Sequence, residues 1–244
     1  MLTEHLQKLK MAGALGALND LKSITNPEDF ASGLLNAEWL YRQDRSRLRK
    51  LSQAKFPLRK EWSQWDQKLN PRIPIKKIES VATNSLIVQK RNLCFIGGQG
   101  TGKTHCLIAF GTEMCRQGYS VRFFTACKLV NALEEARSQN QLSRFMQNIQ
   151  KVQLLIIDEL GYIPFSQSGS RLLFDVFSSR YEQGSIAISS NLSFEKWTEV
   201  FGAVELTAAL VDRFTHLCEI FTFEGESVRL RSAREHIQQR RAKK

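Results

Sequence analysis

No apolar run in this 244-residue chain approaches the roughly 18 residues needed to span a bilayer. The opening MLTEHLQKLKMAG is amphipathic and broken by charge, which is not the pattern of a secretory signal. Cysteine is sparse: Cys94, Cys106, Cys115, Cys127 and Cys218 stand singly, with no CxxC pair and no histidine at ligand spacing. That dispersal argues against a zinc site or a disulfide framework, and reduced thiols in a cytoplasmic protein are the expectation. Acidic residues are also short. Against 24 Asp and Glu stand 35 Lys and Arg, a formal net charge of +11. A surface that basic favours a polyanionic partner, since neutralised phosphates release condensed counterions, and nucleic acid is expected ahead of a membrane. There is no internal repeat and no long low-complexity tract.

What is present divides by texture. The first 69 residues read as a small all-α domain. Leu2, Leu6 and Leu9 fall at helical spacing. Asn26-Pro27-Glu28-Asp29 is a helix start, with a capping amide, proline in the first turn and acids at the positive end of the dipole. Phe30, Leu34, Ala37 and Tyr41 continue as one apolar face, after which the same helix turns basic with Arg42, Arg45, Arg47, Arg49 and Lys50. A break is expected near Phe56-Pro57, and Asn70-Pro71-Arg72-Ile73-Pro74 reads as a linker, because each proline blocks helix. From 70 to 228, short β-rich runs alternate with helical stretches. Runs at 92–96, 120–125, 154–158, 186–190 and 217–221 predict five buried strands of a parallel sheet with crossover helices, an α/β fold. Residues 229–244 form a basic tail.

Gly97-Gly98-Gln99-Gly100-Thr101-Gly102-Lys103-Thr104 matches GxxxxGK[ST], with an apolar run before it and a helix-length stretch at 105–115 after it. Glycines let backbone N–H groups wrap a phosphate chain, and the following helix N-terminus adds positive potential. Lys103 is expected on the β- and γ-phosphates of ATP, and Thr104 offers its hydroxyl to Mg²⁺. LLIIDE at 154–159 ends in Asp158 and Glu159. The first acid is placed to hold Mg²⁺ through water, the second to orient or deprotonate an attacking water. Many P-loop kinases use a different base, so the pair favours an AAA+ P-loop ATPase. Asn191, at the end of the fourth run, is a candidate γ-phosphate sensor, and Arg213, on a predicted helix, a candidate arginine finger. His105 and His216 are assigned no role.

The run GTGKTH at 100–105, LLIIDELGYIPF at 154–165, SNLSFEKW at 190–197, AALVDRFTH at 208–216 and GESVRL at 225–230 together resemble the IstB-like helper ATPases of bacterial transposons. The likeness covers about residues 90–231, and more loosely the helical N-terminus. It implies an AAA+ domain of the DnaA/DnaC-related branch behind a helical DNA-binding domain. It also implies ATP-dependent homo-oligomerisation on double-stranded DNA and stimulation of a cognate transposase. It carries the sensor role to Asn191 and a finger acting in trans to Arg213. Gly98-Gln99 departs from the proline-containing pairs usual in the family; these positions would meet phosphate through backbone. A second sensor is expected after the sheet, with Arg229, Arg231 and Arg234 all qualifying.

For DNA, the basic stretch around Arg42–Lys60 is the expected site of phosphate contacts, with Arg42, Arg45, Arg47, Arg49 and Lys50 as candidates. Arg42, Arg45 and Arg49 share one helix face, and contacts of this kind give affinity without sequence information. Lys128, Arg137, Arg144 and Lys151 are a second candidate surface, and Trp62 and Trp65 are expected to pack rather than stack on bases. The competing function is a DnaC-like helicase loader, which shares the ATPase core.

Overall fold

The computed structural model describes residues 1–68, 70–231 and 234; most of the expected basic tail, including 232, 233 and 235–244, lies outside the described residues. The chain divides into two compact units, residues 1–50 and the residues from 51 onward.

In the first unit, α1 (Leu2–Lys8), α2 (Ala12–Ala17) and the start of α3 (Pro27–Ala54) bury a small core of Leu6, Ala14 and Leu34. The cap on α3 is the expected one: the Glu28 amide donates to Asn26 Oδ1 at 2.9 Å. The Leu2–Leu6–Leu9 stripe is only partly realised. α1 stops at Lys8, so Leu6 is buried while Leu2 and Leu9 stand 46% and 64% exposed. The crossing of α2 and α3 is close: a Cβ on Gly13 would lie 2.7 Å from Ala37 O.

The second unit begins within α3, which ends at Ala54, after which Lys55 takes a left-handed backbone (φ 59°) and the chain turns. After a 3₁₀ turn at Trp62–Gln64 come α4 (Ile75–Val81), α5 (Asn84–Val88), β1 (Asn92–Gly97), α6 (Lys103–Arg116), β2 (Val121–Thr125), α7 (Ala126–Ser138) and α8 (Leu142–Lys151). Then follow β3 (Leu154–Leu160), α9 (Gln167–Arg180), β4 (Ser185–Ser190), a 3₁₀ turn at Phe194–Trp197, α10 (Thr198–Phe201), α11 (Val204–Thr215) and β5 (Cys218–Phe223). All strand pairs are parallel, in the order β2-β3-β4-β1-β5.

The sheet is covered on both faces, which is why its central strands read as unbroken apolar runs. Alternating side chains divide between two cores. Leu93, Phe95, Phe123, Ile156 and Ala187 pack with α6, whereas Cys94, Leu155, Ile157, Ile186 and Ile188 pack with Leu129 and Leu133 of α7, Leu173 and Val176 of α9 and Leu210 and Phe214 of α11. Side-chain caps start two of these helices: Thr125 Oγ1 accepts from Lys128 N, and Ser166 Oγ from Gly169 N at 3.0 Å. Trp62 and Trp65 pack against the α6-side core, as expected.

The proline-bearing stretch at 70–74 is not an open linker. Asn70 and Ile73 are buried, and Asn70 Nδ2 donates to Thr101 O at 3.3 Å. Prolines dictate local backbone shape, and here that shape is packed against the glycine loop.

Candidate functional site

The strand–loop–helix unit β1–α6 builds the first half of the site. Gly102 adopts φ 105° at the start of α6, and a Cβ there would stand 2.6 Å from the Trp65 ring, so both backbone and space require glycine. Trp65 also meets His105 edge to face at 5.5 Å, and His105 Nε2 lies 3.1 Å from Glu61 O. Glu61, Trp65 and Asn70 thus lie beside the loop and the first turn of α6. Within the loop, Thr101 Oγ1 donates to Gly98 O at 2.9 Å, and Lys103 Nζ donates to Gly97 O and Gly98 O, each at 2.7 Å.

β4, not β3, is the neighbour of β1, yet the acid pair reaches the loop. Thr104 Oγ1 donates to Asp158 Oδ1 at 3.2 Å. Ile157 pairs with Ile188 and Leu160 with Ser190, so two residues of β3, Asp158 and Glu159, oppose the single Ser189 of β4. This bulge places Glu159 in the left-handed region (φ 62°), unusual for a side chain of its size, and leaves it the one exposed residue of β3. Ser189 joins the two acids. Its hydroxyl donates to Asp158 Oδ1 and accepts from Glu159 N at 3.0 Å. The sequence reading missed Ser189, although it stands only two residues before Asn191.

Electrostatics match a site built to receive ligand charge. Burial pushes the Asp158 carboxyl above its ordinary value, against the pull of Ser189, Thr104, the Glu159 amide and Lys103. Burial lowers the Lys103 ammonium, Asp158 opposes that shift, and Arg229 adds to it. Arg229 is therefore in electrostatic reach of the loop lysine. It follows Val228, whose amide donates to Gly100 O at 3.0 Å. Arg234 instead pairs with Glu226 at 2.6 Å, and the Arg231 amide donates to Ser227 O at 3.0 Å.

Asn191 lies beside the turn that follows β3: its Oδ1 would be 3.2 Å from a Cβ on Gly161, two residues past Glu159, and that atom is buried with no hydrogen-bond partner. An orphaned acceptor, a hydroxyl and carboxylate side by side, and an ammonium held only by carbonyls fit a magnesium–triphosphate and a water.

Arg213 is elsewhere. Its Nη1 donates to Ser178 Oγ at 2.6 Å, and its guanidinium lies 5.4 Å from the Phe174 ring centroid. The adjacent Phe214 O accepts from Asn92 Nδ2 at 2.9 Å, and Arg213 shares a small cavity with Asn92 and Ile186. Asn92 opens β1 and Ile186 is the second residue of β4, so Arg213 sits at the end of the sheet opposite the phosphate loop, about 20 Å away along a six-residue strand. The five basic candidates lie on α3: Arg42 pairs with Glu38 at 2.6 Å, Arg45 with Tyr41 Oη at 3.3 Å and Arg47 with Asp44 at 3.3 Å, while Arg49 and Lys50 complete the run.

The family model for IstB-like ATP binding proteins matches residues 3–236. The chain belongs to the IstB-like family. An IstB-like relative named as the ATP-binding protein of insertion sequence IS5376 from Geobacillus stearothermophilus is 37% identical over 206 residues, 84% of this chain and 82% of that one. Among solved structures, the DnaC helicase loader superposes with a TM-score of 0.58 at 17% identity, covering 67% of this IstB-like chain and 96% of the loader. AMPPCP-bound DnaA from Aquifex aeolicus gives 0.58 at 20% identity, covering 76% of this chain and 56% of that one. The chain thus spans about half the length of the DnaA structure, and these likenesses establish the AAA+ P-loop fold. Among the described residues, no helix is long and apolar enough to cross a membrane.

Proposed function

We propose that this IstB-like protein is an ATPase that assembles on double-stranded DNA through nucleotide-dependent contacts between copies, and there recruits or stimulates a partner transposase. The observation that carries the reading is the cluster at the start of α6 and the ends of β3 and β4: Thr104 and Ser189 both bond Asp158, Ser189 also accepts from the Glu159 amide, and Lys103 holds the Gly97 and Gly98 carbonyls. Phosphate oxygens compete with the Gly97 and Gly98 carbonyls for the Lys103 ammonium, and the loop amides take the rest of the phosphate chain. Thr104 and Asp158 supply the hard oxygen donors for Mg²⁺, which neutralises charge on the phosphoryl oxygens when bound. Glu159, turned out of the strand by the bulge, accepts the proton of the attacking water, and Asn191 Oδ1 holds that water by accepting its other proton. Arg229 follows a segment bonded to the loop and is the second-sensor candidate that the electrostatics favour.

Arg213 faces away from its own phosphate loop, which supports a finger supplied to a neighbouring copy. A transposition helper is favoured over a helicase loader because the closely similar sequences are insertion-sequence proteins, whereas the DnaC likeness is one of fold. The decisive experiment mixes Lys103→Ala with Arg213→Ala protein. Each alone is expected to be inactive. Their mixture regains hydrolysis, since one supplies the finger and the other the site. An Arg213→Ala protein with wild-type turnover, or wild-type hydrolysis indifferent to duplex DNA and to protein concentration, would refute the reading.

A further inference from the structure

The first unit carries an open cationic cavity that the ATPase site does not use. It is lined by the exposed side chains of Lys10, Tyr41, Arg42, Arg45 and Arg49 around the buried Glu38, with a volume of about 320 Å³. We propose that this cavity seats the sugar–phosphate backbone of duplex DNA, with Lys10 and Arg49 as direct phosphate ligands. The proposal rests on the reading that the protein binds DNA, and it refines which residues do so.

Two elements make the site, not one helix face. Lys10 comes from the turn between α1 and α2, where it adopts a left-handed backbone (φ 56°). The arginines come from α3, at positions three and four apart, so they rise on one side of the helix. The only acid in the lining is consumed internally. Glu38 Oε2 accepts from the Gly13 and Ala14 amides at 2.8 and 3.2 Å, and its Oε1 accepts from Arg42 Nε at 2.6 Å. Burial alone would raise its pKa, but Arg42 and these amides hold the carboxyl below its ordinary value. The Arg42 guanidinium is thereby oriented through Nε, in a side chain that lines the cavity. Arg45 is oriented by a second device: its guanidinium lies 5.8 Å from the Tyr41 ring centroid and donates to the Tyr41 hydroxyl. Among the described residues no carboxylate pairs with Lys10, Arg45 or Arg49.

The dimensions favour a polymer over a single small anion. Arg42 to Arg49 spans roughly 10 Å along the helix, about three 3.4 Å steps of one DNA strand. The lining offers one aromatic ring and otherwise charge, which suits a backbone and gives no base readout. Arg47 lies on another side of α3 and is paired with Asp44, so it stands outside the site.

The test uses the full chain and measures duplex DNA affinity across a salt series. Lys10→Ala and Arg49→Ala are each expected to weaken binding about 5- to 10-fold and to reduce the slope of log affinity against log salt by about one. Arg47→Ala is expected to bind as wild type. ATP affinity and thermal melting, read on the same samples, are expected to be unchanged, so that misfolding is separated from lost contacts. Unaltered affinity and salt slope in both Lys10→Ala and Arg49→Ala, with wild type still binding DNA, would overturn the cavity while leaving the DNA reading intact. A wild type that binds no DNA would sink both. Retained DNA binding with lost transposase stimulation would assign the cavity to the protein partner and overturn the proposal.

Discussion

Removing one hydroxyl from β4 should impair hydrolysis while leaving nucleotide binding almost untouched. Ser189 is 2% exposed and meets no phosphate-loop residue in its hydrogen bonds; it bonds only the two acids. In Ser189→Ala the Asp158 carboxylate loses a charge-assisted bond worth about 1.5–3 kcal/mol. The Glu159 amide loses its acceptor while its residue remains in a backbone region that costs roughly 1–3 kcal/mol to occupy. Glu159 then has reason to relax out of the bulge, and the carboxylate leaves the position from which it meets water. If about half of these terms reaches the transition state, kcat falls roughly 10- to 100-fold, at about 1.4 kcal/mol per tenfold. Lys103, Thr104 and the loop amides are unaltered, so ATP affinity should stay within about threefold. Ser189→Thr keeps the hydroxyl and should recover most of the loss. The assay is steady-state phosphate release against ATP and Mg²⁺, with affinity read separately using a non-hydrolysable analogue. A kcat within twofold of wild type, or a loss that Ser189→Thr fails to repair, would refute the reasoning.

Asp158→Asn should stabilise the nucleotide-free protein while abolishing Mg²⁺-dependent hydrolysis. Both donors, Thr104 and Ser189, bond the same oxygen, Oδ1, which the amide retains, so only the buried charge is removed. The sign follows from the raised pKa: the folded chain holds this proton more tightly than the unfolded one, so the ionised form costs stability as pH rises above the ordinary value of 3.8. Thermal melting should therefore favour the variant at neutral pH, with the gap closing in acid. Gly102→Ala should lower stability by about 1–3 kcal/mol and weaken ATP binding, because φ 105° and the Trp65 ring both oppose a Cβ; melting and analogue titration check it. Arg229→Ala should weaken ATP affinity about 10-fold, whereas Arg234→Ala, whose guanidinium already pairs with Glu226, should leave it unchanged in the same titration.

Much of the sheet was legible because a parallel sheet buried on both faces must be apolar along its whole length, and each expected run became a strand with ends shifted by at most two residues. The phosphate loop was legible because its chemistry is local: eight consecutive residues carry it. What escaped was non-local. Nothing in the run 154–160 says that the strand breaks register after Ile157, because the bulge is a relation between β3 and β4. Ser189 acquires its role only through that relation. The prolines near Asn70 announce extended chain and are silent about what it packs on, so a strap anchored by the buried Asn70 and Ile73 read as a linker. Leu2 and Leu9 had the spacing of a buried stripe but a seven-residue helix too short to bury them.

The position of Arg213 also sets how an assembly would control hydrolysis. Within its own chain the guanidinium is held by one hydrogen bond to a neutral hydroxyl and by the Phe174 ring. Those contacts are worth about 0.5–1.5 and 0.5–1 kcal/mol respectively, so releasing the side chain costs roughly 1–2.5 kcal/mol. A charge-assisted, bidentate contact with a phosphate group is stronger than either, and stronger still where water is excluded. On the finger reading the arginine is therefore parked when no triphosphate faces it and drawn out when one does. On that reading a lone chain would bind nucleotide and lack only this cation, and hydrolysis would wait for a neighbour. On the same reading, assembly on DNA would precede hydrolysis.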